Sequence, residues 1–458
     1  MKLNKIAALL AVAGLSTSAF ATNGMNIEGY GPIALGMGGA SFAYDNGPGA
    51  MMGNPATLGL MAQGSGIGAA LGFLGPDVGV THPLAGSIGS GGDAYYMPAI
   101  GYVRKEGKLT YGIGVYSQGG MGTEFGATSF MAAGTGQDVR SEVGVGRFIL
   151  PLAYNVNDQL TIGGSVDWVW ATMDIKMAAS GAQFNAMTTG MTAGLGGAMT
   201  ALVTGGANTF RIDFSDNNDF NGKAFGSGFA GKLGLVYKVS PALTVGAAYH
   251  SKTNLGDMKT DDNGAAFSAF NSGVSMGAAM PGKITIRNFQ WPETYGLGMA
   301  FQATDKLMIA ADYKRINWSG VMQDFNMTYS TGALGGADSA DFRISQNWND
   351  QDVFMIGASY RMNEALTLRV GGNFAKNPVP DNRVHPLFPA IVEEHYTFGA
   401  GYMLSKKSAV DFALSYAPKV TVTGTQMTDG AMGSGVTANP LTITHSQLSW
   451  QVQYGHRF

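Results

Sequence analysis

The last eleven residues, LSWQVQYGHRF (Leu448 to Phe458), decide the fold. Leu448, Trp450, Val452, Tyr454, His456 and Phe458 occupy alternate positions, with Ser449, Gln451, Gln453, Gly455 and Arg457 between them. A strand points successive side chains to opposite faces, so one face here is apolar and aromatic and the other polar. In a water-soluble sandwich the apolar face would meet a second sheet. In a membrane barrel it meets lipid, with aromatics at the headgroup levels.

The same period recurs back along the chain, at Leu109, Tyr111, Ile113 and Val115, at Leu243, Val245, Ala247 and Tyr249, at Leu366, Leu368 and Val370, and at Val410, Phe412, Leu414 and Tyr416. Short polar breaks fall at Glu106-Gly107, Asn157-Asp158, Ser240-Pro241, Thr304-Asp305, Asn363-Glu364 and Lys406-Lys407, with long Gly-rich segments between them. A soluble β-helix or propeller also repeats short strands. Tight turns that strictly take turns with long loops are the arrangement of an outer-membrane barrel. Walking from about Ser65, the pattern predicts an all-β, 14-stranded antiparallel transmembrane barrel.

Composition agrees. Only 13% of the 458 residues are charged, against roughly 25% in an average soluble domain. Such a chain is short of polar groups to cover a water-facing surface. The net charge of −3 argues against a nucleic-acid partner, which needs a concentrated basic surface. Cysteine is absent, so no disulfide is available. Lys2 and Lys5, the apolar run Ile6 to Leu15 and Ala19-Phe20-Ala21 have the three parts of an export signal over residues 1–21. Later apolar runs are broken within about ten residues, the length of a spanning strand and not of a spanning helix.

Residues 22–61 do not alternate. Ten glycines, Asp45-Asn46-Gly47-Pro48 and Asn54-Pro55-Ala56 predict turns and short helical pieces. A flexible tail and a plug folded into the lumen are both open on composition alone. The barrel proper is expected over residues 62–458.

The stretch Ile27 to Leu58, IEGYGPIALGMGGASFAYDNGPGAMMGNPATL, resembles the N-terminal hatch of the FadL/TodX family of outer-membrane fatty-acid and aromatic-hydrocarbon transporters, which ends in Asn-Pro-Ala, here Asn54, Pro55 and Ala56. Trp291-Pro292, Leu297-Gly298, Trp318-Ser319 and FAKNPVPDNRV (Phe374 to Val384) are similar to further family patterns in the same order. The resemblance implies a monomeric barrel, set in lipid and lipopolysaccharide, that passively carries hydrophobic compounds. Capture by outer loops would be followed by a lumenal pocket and by sideways exit at a kinked third strand. Here that strand runs into Gln118-Gly119-Gly120-Met121-Gly122, and Gly119, Gly120 and Gly122 become gate candidates; an ordinary loop start reads the same way. The terminal Phe458 resembles the signal recognised by the barrel-assembly machinery.

Two outer loops carry apolar residues at three- and four-residue intervals: Phe184, Met187, Met191, Leu195 and Met199 in one, and Phe267, Phe270 and Val274 in the other. Both patterns predict short amphipathic helices, packed on each other or forming a capture groove. Lys314, Arg361 and Arg369 fall on inward positions and are candidates to meet a carboxylate, although lumenal charges often only pair with each other. Gly273-Val274-Ser275-Met276-Gly277 matches a nucleophile elbow, but lacks a strand-to-helix setting and placed partners. Gly226 to Gly231 matches a dinucleotide fingerprint without a βαβ unit. Asp216, Asp219, Asp261 and Asp262 do not have calcium-loop spacing. No enzyme activity, metal or cofactor is expected. A general porin and a structural or adhesive barrel are the competing functions.

Overall fold

The computed structural model describes residues 23–218, 222–424 and 440–458. The expected export signal (1–21), Thr22 and Asp219 lie outside the described residues. The first strands are β1 (Gly64–His82), β2 (Gly86–Gly89), β3 (Tyr95–Glu106), β4 (Leu109–Phe125), β5 (Val139–Asn155) and β6 (Leu160–Ser180). Next come β7 (Thr188–Met191), β8 (Thr209–Phe214), β9 (Ala224–Lys238), β10 (Leu243–His250), β11 (Asn254–Leu255) and β12 (Met258–Lys259). Then follow β13 (Ala265–Asn271), β14 (Val274–Ser275), β15 (Met280–Arg287), β16 (Thr294–Gln302), β17 (Leu307–Ile316) and β18 (Asp324–Thr331). The last are β19 (Asp338–Ser345), β20 (Gln351–Arg361), β21 (Leu366–Phe374), β22 (Glu394–Met403), β23 (Ser408–Thr423) and β24 (Thr442–Arg457).

The ends of the chain close the wall. β24 pairs antiparallel with β1 from Arg457 opposite Gly66 to Thr442 opposite Thr81, so no sheet edge is left at the seam to face lipid. Phe73 and Trp450 stack across it with ring centroids 5.5 Å apart. Alternation holds along β24 as the sequence requires: Leu448 and Tyr454 are exposed on the outside, while Gln447, Ser449, Gln451 and Gln453 are buried within.

The expected count of fourteen strands is corrected. One sheet contains 24 strands, and its closed circuit takes in 18. That circuit runs from β1 through β3, β4, β5 and β6, then through β8, β13, β15 and β12 to β9, and on by β10, β16, β17, β20, β21, β22, β23 and β24. Nearer the tight turns, Leu160 to Met173 of β6 pair directly with β9. Above that level the two strands diverge and the loop strands enter between them. TFRIDF (209–214), AAFSAFN (265–271) and MPGKITIR (280–287) are ladder partners buried inside Gly-rich loops, so a count based on turns and loops passes over them.

Residues 23–61 fill the lumen. The short helix Pro32–Leu35 packs on β22, β23 and β24, and the 3-10 helix Pro55–Leu60 on β5, β6 and β9. Nearly all of this segment is buried. Glycine makes that possible: a Cβ at Gly38 (φ +68°) would strike the Gly372 backbone of the wall.

Candidate functional site

Side chains of the hatch and the wall fasten the two together at several points. Asn54 is fully buried and caps the Pro55–Leu60 turn by accepting from the Ala56 N–H at 3.0 Å. Its amide donates to the Phe42 carbonyl at 2.8 Å and to the Leu235 carbonyl of β9 at 3.0 Å. Thus Asn54, Pro55 and Ala56 join two parts of the hatch to the wall. Asp312 of β17 accepts from the Ser41 and Phe42 N–H groups at 2.6 and 3.0 Å. At the start of the segment, the Trp291 indole donates to Asn26 Oδ1 at 2.8 Å. Trp318, stacked edge-on to Trp291 and Trp348, lies so close to Gly24 that a Cβ there would come within 2.8 Å of its ring.

The wall breaks where β4 slips. Pairing of β3 with β4 stops at Ile100 opposite Val115. Beyond it, among the described strands, Tyr95 to Ala99 pair with β1 alone and β4 onward from Tyr116 with β5 alone. Pro98, opposite Leu71 of β1, sits in the stretch that has lost its β4 partner, and it has no N–H to offer. Opposite it the β4–β5 register shifts between Ser117 and Gly119, which leaves Gln118 as the extra residue of a bulge. A cavity of about 330 Å³ lies in the gap, lined by Leu74, Met97, Pro98, Tyr116, Gly120, Met121 and Trp170 among others.

On the lumenal side the hatch main chain takes up the edge that β3 leaves. The Gly120 N–H donates to the Met25 carbonyl at 3.1 Å, the Ile27 N–H to Gln118 at 3.4 Å, and Asn26 bridges to Gly119. A Cβ at Gly119 would run into the Met25 carbonyl, one at Gly120 into Val143, and one at Gly122 within 2.6 Å of the Tyr95 hydroxyl. The three glycines thus lie together at the break. Arg147 of β5 donates to the Gln118 side chain, and to Asp167 at 2.8 Å; Lys232 of β9 also binds Asp167. Residue-by-residue reading missed this buried trio, since each charge sits on a different strand and only barrel closure joins them. Their inward parity was the available signal.

The three cations singled out from sequence do not meet. Arg369 pairs with Asp411 at 2.8 Å. Lys314 is half-buried in the lumen with no ion-pair partner among the described residues. Arg361 keeps inward parity but lies exposed at the turn end of β20.

The outer-loop residues largely converge. Phe184 lies on the helix Gly181–Met187, started by a Ser180–Gln183 capping box. Its ring is 4.8 Å from Phe210, 5.5 Å from Phe267 and 5.3 Å from Phe342. Met187, Leu195 and Met199 are buried in the same core, Phe270 is buried outside that cluster, and Met191 is half-buried in β7. Two corrections follow. The expected helix over Phe267, Phe270 and Val274 is the hairpin β13–β14, because β8 and β15 offer ladder partners on both sides. Val274 points away and is 70% exposed. Ser275 lies on that exposed hairpin with its hydroxyl donating to the Gly277 carbonyl.

Residues 8–458 match the family described as outer membrane protein transport protein (OMPP1/FadL/TodX). The crystal structure of the P. putida toluene transporter TodX is similar with TM-score 0.82 and 29% identity, covering 94% of this chain and 99% of that one. The Ralstonia pickettii toluene transporter TbuX is similar with TM-score 0.75 and 32% identity, again covering 94% and 99%. Outer membrane protein P1 of Haemophilus influenzae is 26% identical over 189 residues, 41% of this chain and 38% of that protein. The chain spans less than half the length of the curated relatives it matches. With the barrel, the filled lumen and the family match in place, the chain belongs to the outer membrane protein transport protein family (OMPP1/FadL/TodX) and is an outer-membrane protein.

Proposed function

We propose that this protein carries hydrophobic compounds, long-chain fatty acids or aromatic and aliphatic hydrocarbons, passively across the outer membrane, and releases them sideways through the break between β3 and β4. One observation carries the reading: the wall lacks its ladder between Tyr95–Ala99 and Tyr116–Phe125, and hatch residues Met25 to Ile27 bond to the exposed edge from within. The toluene transporters TodX and TbuX support the substrate class by similarity. The outer-loop core around Phe184 presents the capture side, where burying alkyl or aryl surface supplies roughly 25 cal/mol per Å². Lys314 is the lumenal cation left to receive a carboxylate. One chain closes its own barrel, which supports a monomer, and Phe458, exposed at the end of β24, serves as the assembly signal.

The test is entry of labelled toluene and oleate into cells lacking their own transporter, with and without this protein in the outer membrane. Faster entry of either supports the reading. Unchanged entry of both, from a folded and surface-exposed protein, rejects it for these compounds and favours an adhesive barrel.

A further inference from the structure

Beside the break, on the lumenal side, lies a second and smaller cavity of about 50 Å³. It shares Leu74, Tyr95, Met97, Gly119, Gly120 and Met121 with the larger cavity in the gap, and it adds Glu28, His445 and Gln447. It is too small for a whole substrate and large enough for one polar group, since one water needs ~10–15 Å³ on this measure.

His445 is the side chain with an unmet need there. It is buried, 8% exposed, on the inward face of β24. Its Nδ1 lies 2.7 Å from the Pro389 carbonyl oxygen. A carbonyl only accepts, so Nδ1 carries the proton, and Nε2 of the neutral ring is an acceptor. That Nε2 is buried and has no partner among the described residues. A buried acceptor calls for a donor, and neither an alkane nor an unsubstituted arene has one.

We propose that His445 recognises a hydroxyl group at the inner mouth of the break, so that the channel favours phenols and alcohols over the corresponding bare hydrocarbons. The apolar body occupies the larger cavity while the hydroxyl donates to His445 Nε2. This rests on the sideways exit proposed above. Discrimination by one such bond is modest, about fivefold, because water can satisfy the ring when no hydroxyl is bound.

Two measurements separate this proposal from the transport reading. In full-length protein labelled with 15N-histidine, with the His445 resonances assigned by their loss in His445→Gln, p-cresol is expected to shift Nε2 and toluene to leave it unchanged. In cells, His445→Leu is expected to lower the ratio of p-cresol to toluene entry about fivefold. His445→Gln retains an acceptor oxygen and is expected to keep the wild-type ratio. A Nε2 signal indifferent to p-cresol overturns the proposal, and so does a His445→Leu variant that slows both compounds equally. A wild-type protein that speeds neither compound overturns the transport reading instead, and the 15N signal still decides the role of His445.

Discussion

The Tyr30 hydroxyl of the hatch donates to the carbonyl of Gln118, the bulged residue of β4, across 3.0 Å. This bond joins the plug to the point where the wall loses register, so movement of one is felt at the other. Tyr30→Phe removes it without opening a cavity. The loss of about 1 kcal/mol is expected to raise opening of residues 26–30 about fivefold, as read by hydrogen exchange of their amides. Unchanged exchange would show that the bond does not hold the hatch.

Asn54 answers three backbone groups at once, and truncation strands all of them. Asn54→Ala is expected to cost the hatch about 3 kcal/mol, one capping bond and two buried bonds. Limited proteolysis within residues 40–60 should accelerate while the barrel keeps its heat-modifiable migration. Asn54→Asp keeps the cap but turns a buried carboxylate oxygen on the Phe42 and Leu235 carbonyls, so it should be no more resistant than Asn54→Ala. A hatch equally resistant in all three proteins would contradict the assignment.

The loop between β21 and β22 should loosen in acid. Burial pushes His385 down to about 4, and its Nδ1 accepts from the Leu387 N–H at 3.0 Å, which requires the neutral ring. An opened loop binds its proton near the ordinary value of about 6.5. Docking is therefore fully stabilised above that pH and weakens as the pH falls through 6.5 toward 4, by on the order of 3 kcal/mol. Exchange of the 384–392 amides, corrected for intrinsic rate, should rise over that window. In His385→Gln that rise should be smaller.

Phe184 and Val274, both read from sequence as capture residues, should behave differently. Phe184→Ala empties the centre of the aromatic core and is expected to destabilise the outer loops by about 3–5 kcal/mol. Val274→Ser alters an exposed tip and should leave loop stability within about 0.5 kcal/mol. Protease resistance of the loops on intact cells distinguishes them.

The parts of the fold legible in the sequence were those written in local period. Leu448 to Phe458 told inside from outside because each inward glutamine and outward aromatic obeys the pleat. Gln118 to Gly122 left a bulge and an ordinary loop start equally open, because glycine marks where a strand can leave its ladder without saying that it does. What fills that break was not legible: Met25 lies some ninety residues away and meets Gly120 through backbone atoms, which carry no sequence signature. The loop strands were hidden for a related reason. The spacing of Phe267 and Phe270 suits a helix, and only the partners β8 and β15 make a strand the better state, a tertiary override of local pattern. The trio Arg147, Asp167 and Lys232 appears only when three strands are set side by side.

The most direct test of the account is deletion of Gln118. Without the extra residue, β4 can pair with β5 in one register through Gly119, and the break loses its cause. Gln118→Ala, which keeps the bulge and removes only the side-chain bond to Arg147, is the control. The account predicts that the deletion variant folds and reaches the surface yet admits labelled toluene or oleate no faster than cells without the protein, while Gln118→Ala still transports. Wild-type entry rates in the deletion variant would contradict sideways release at this strand.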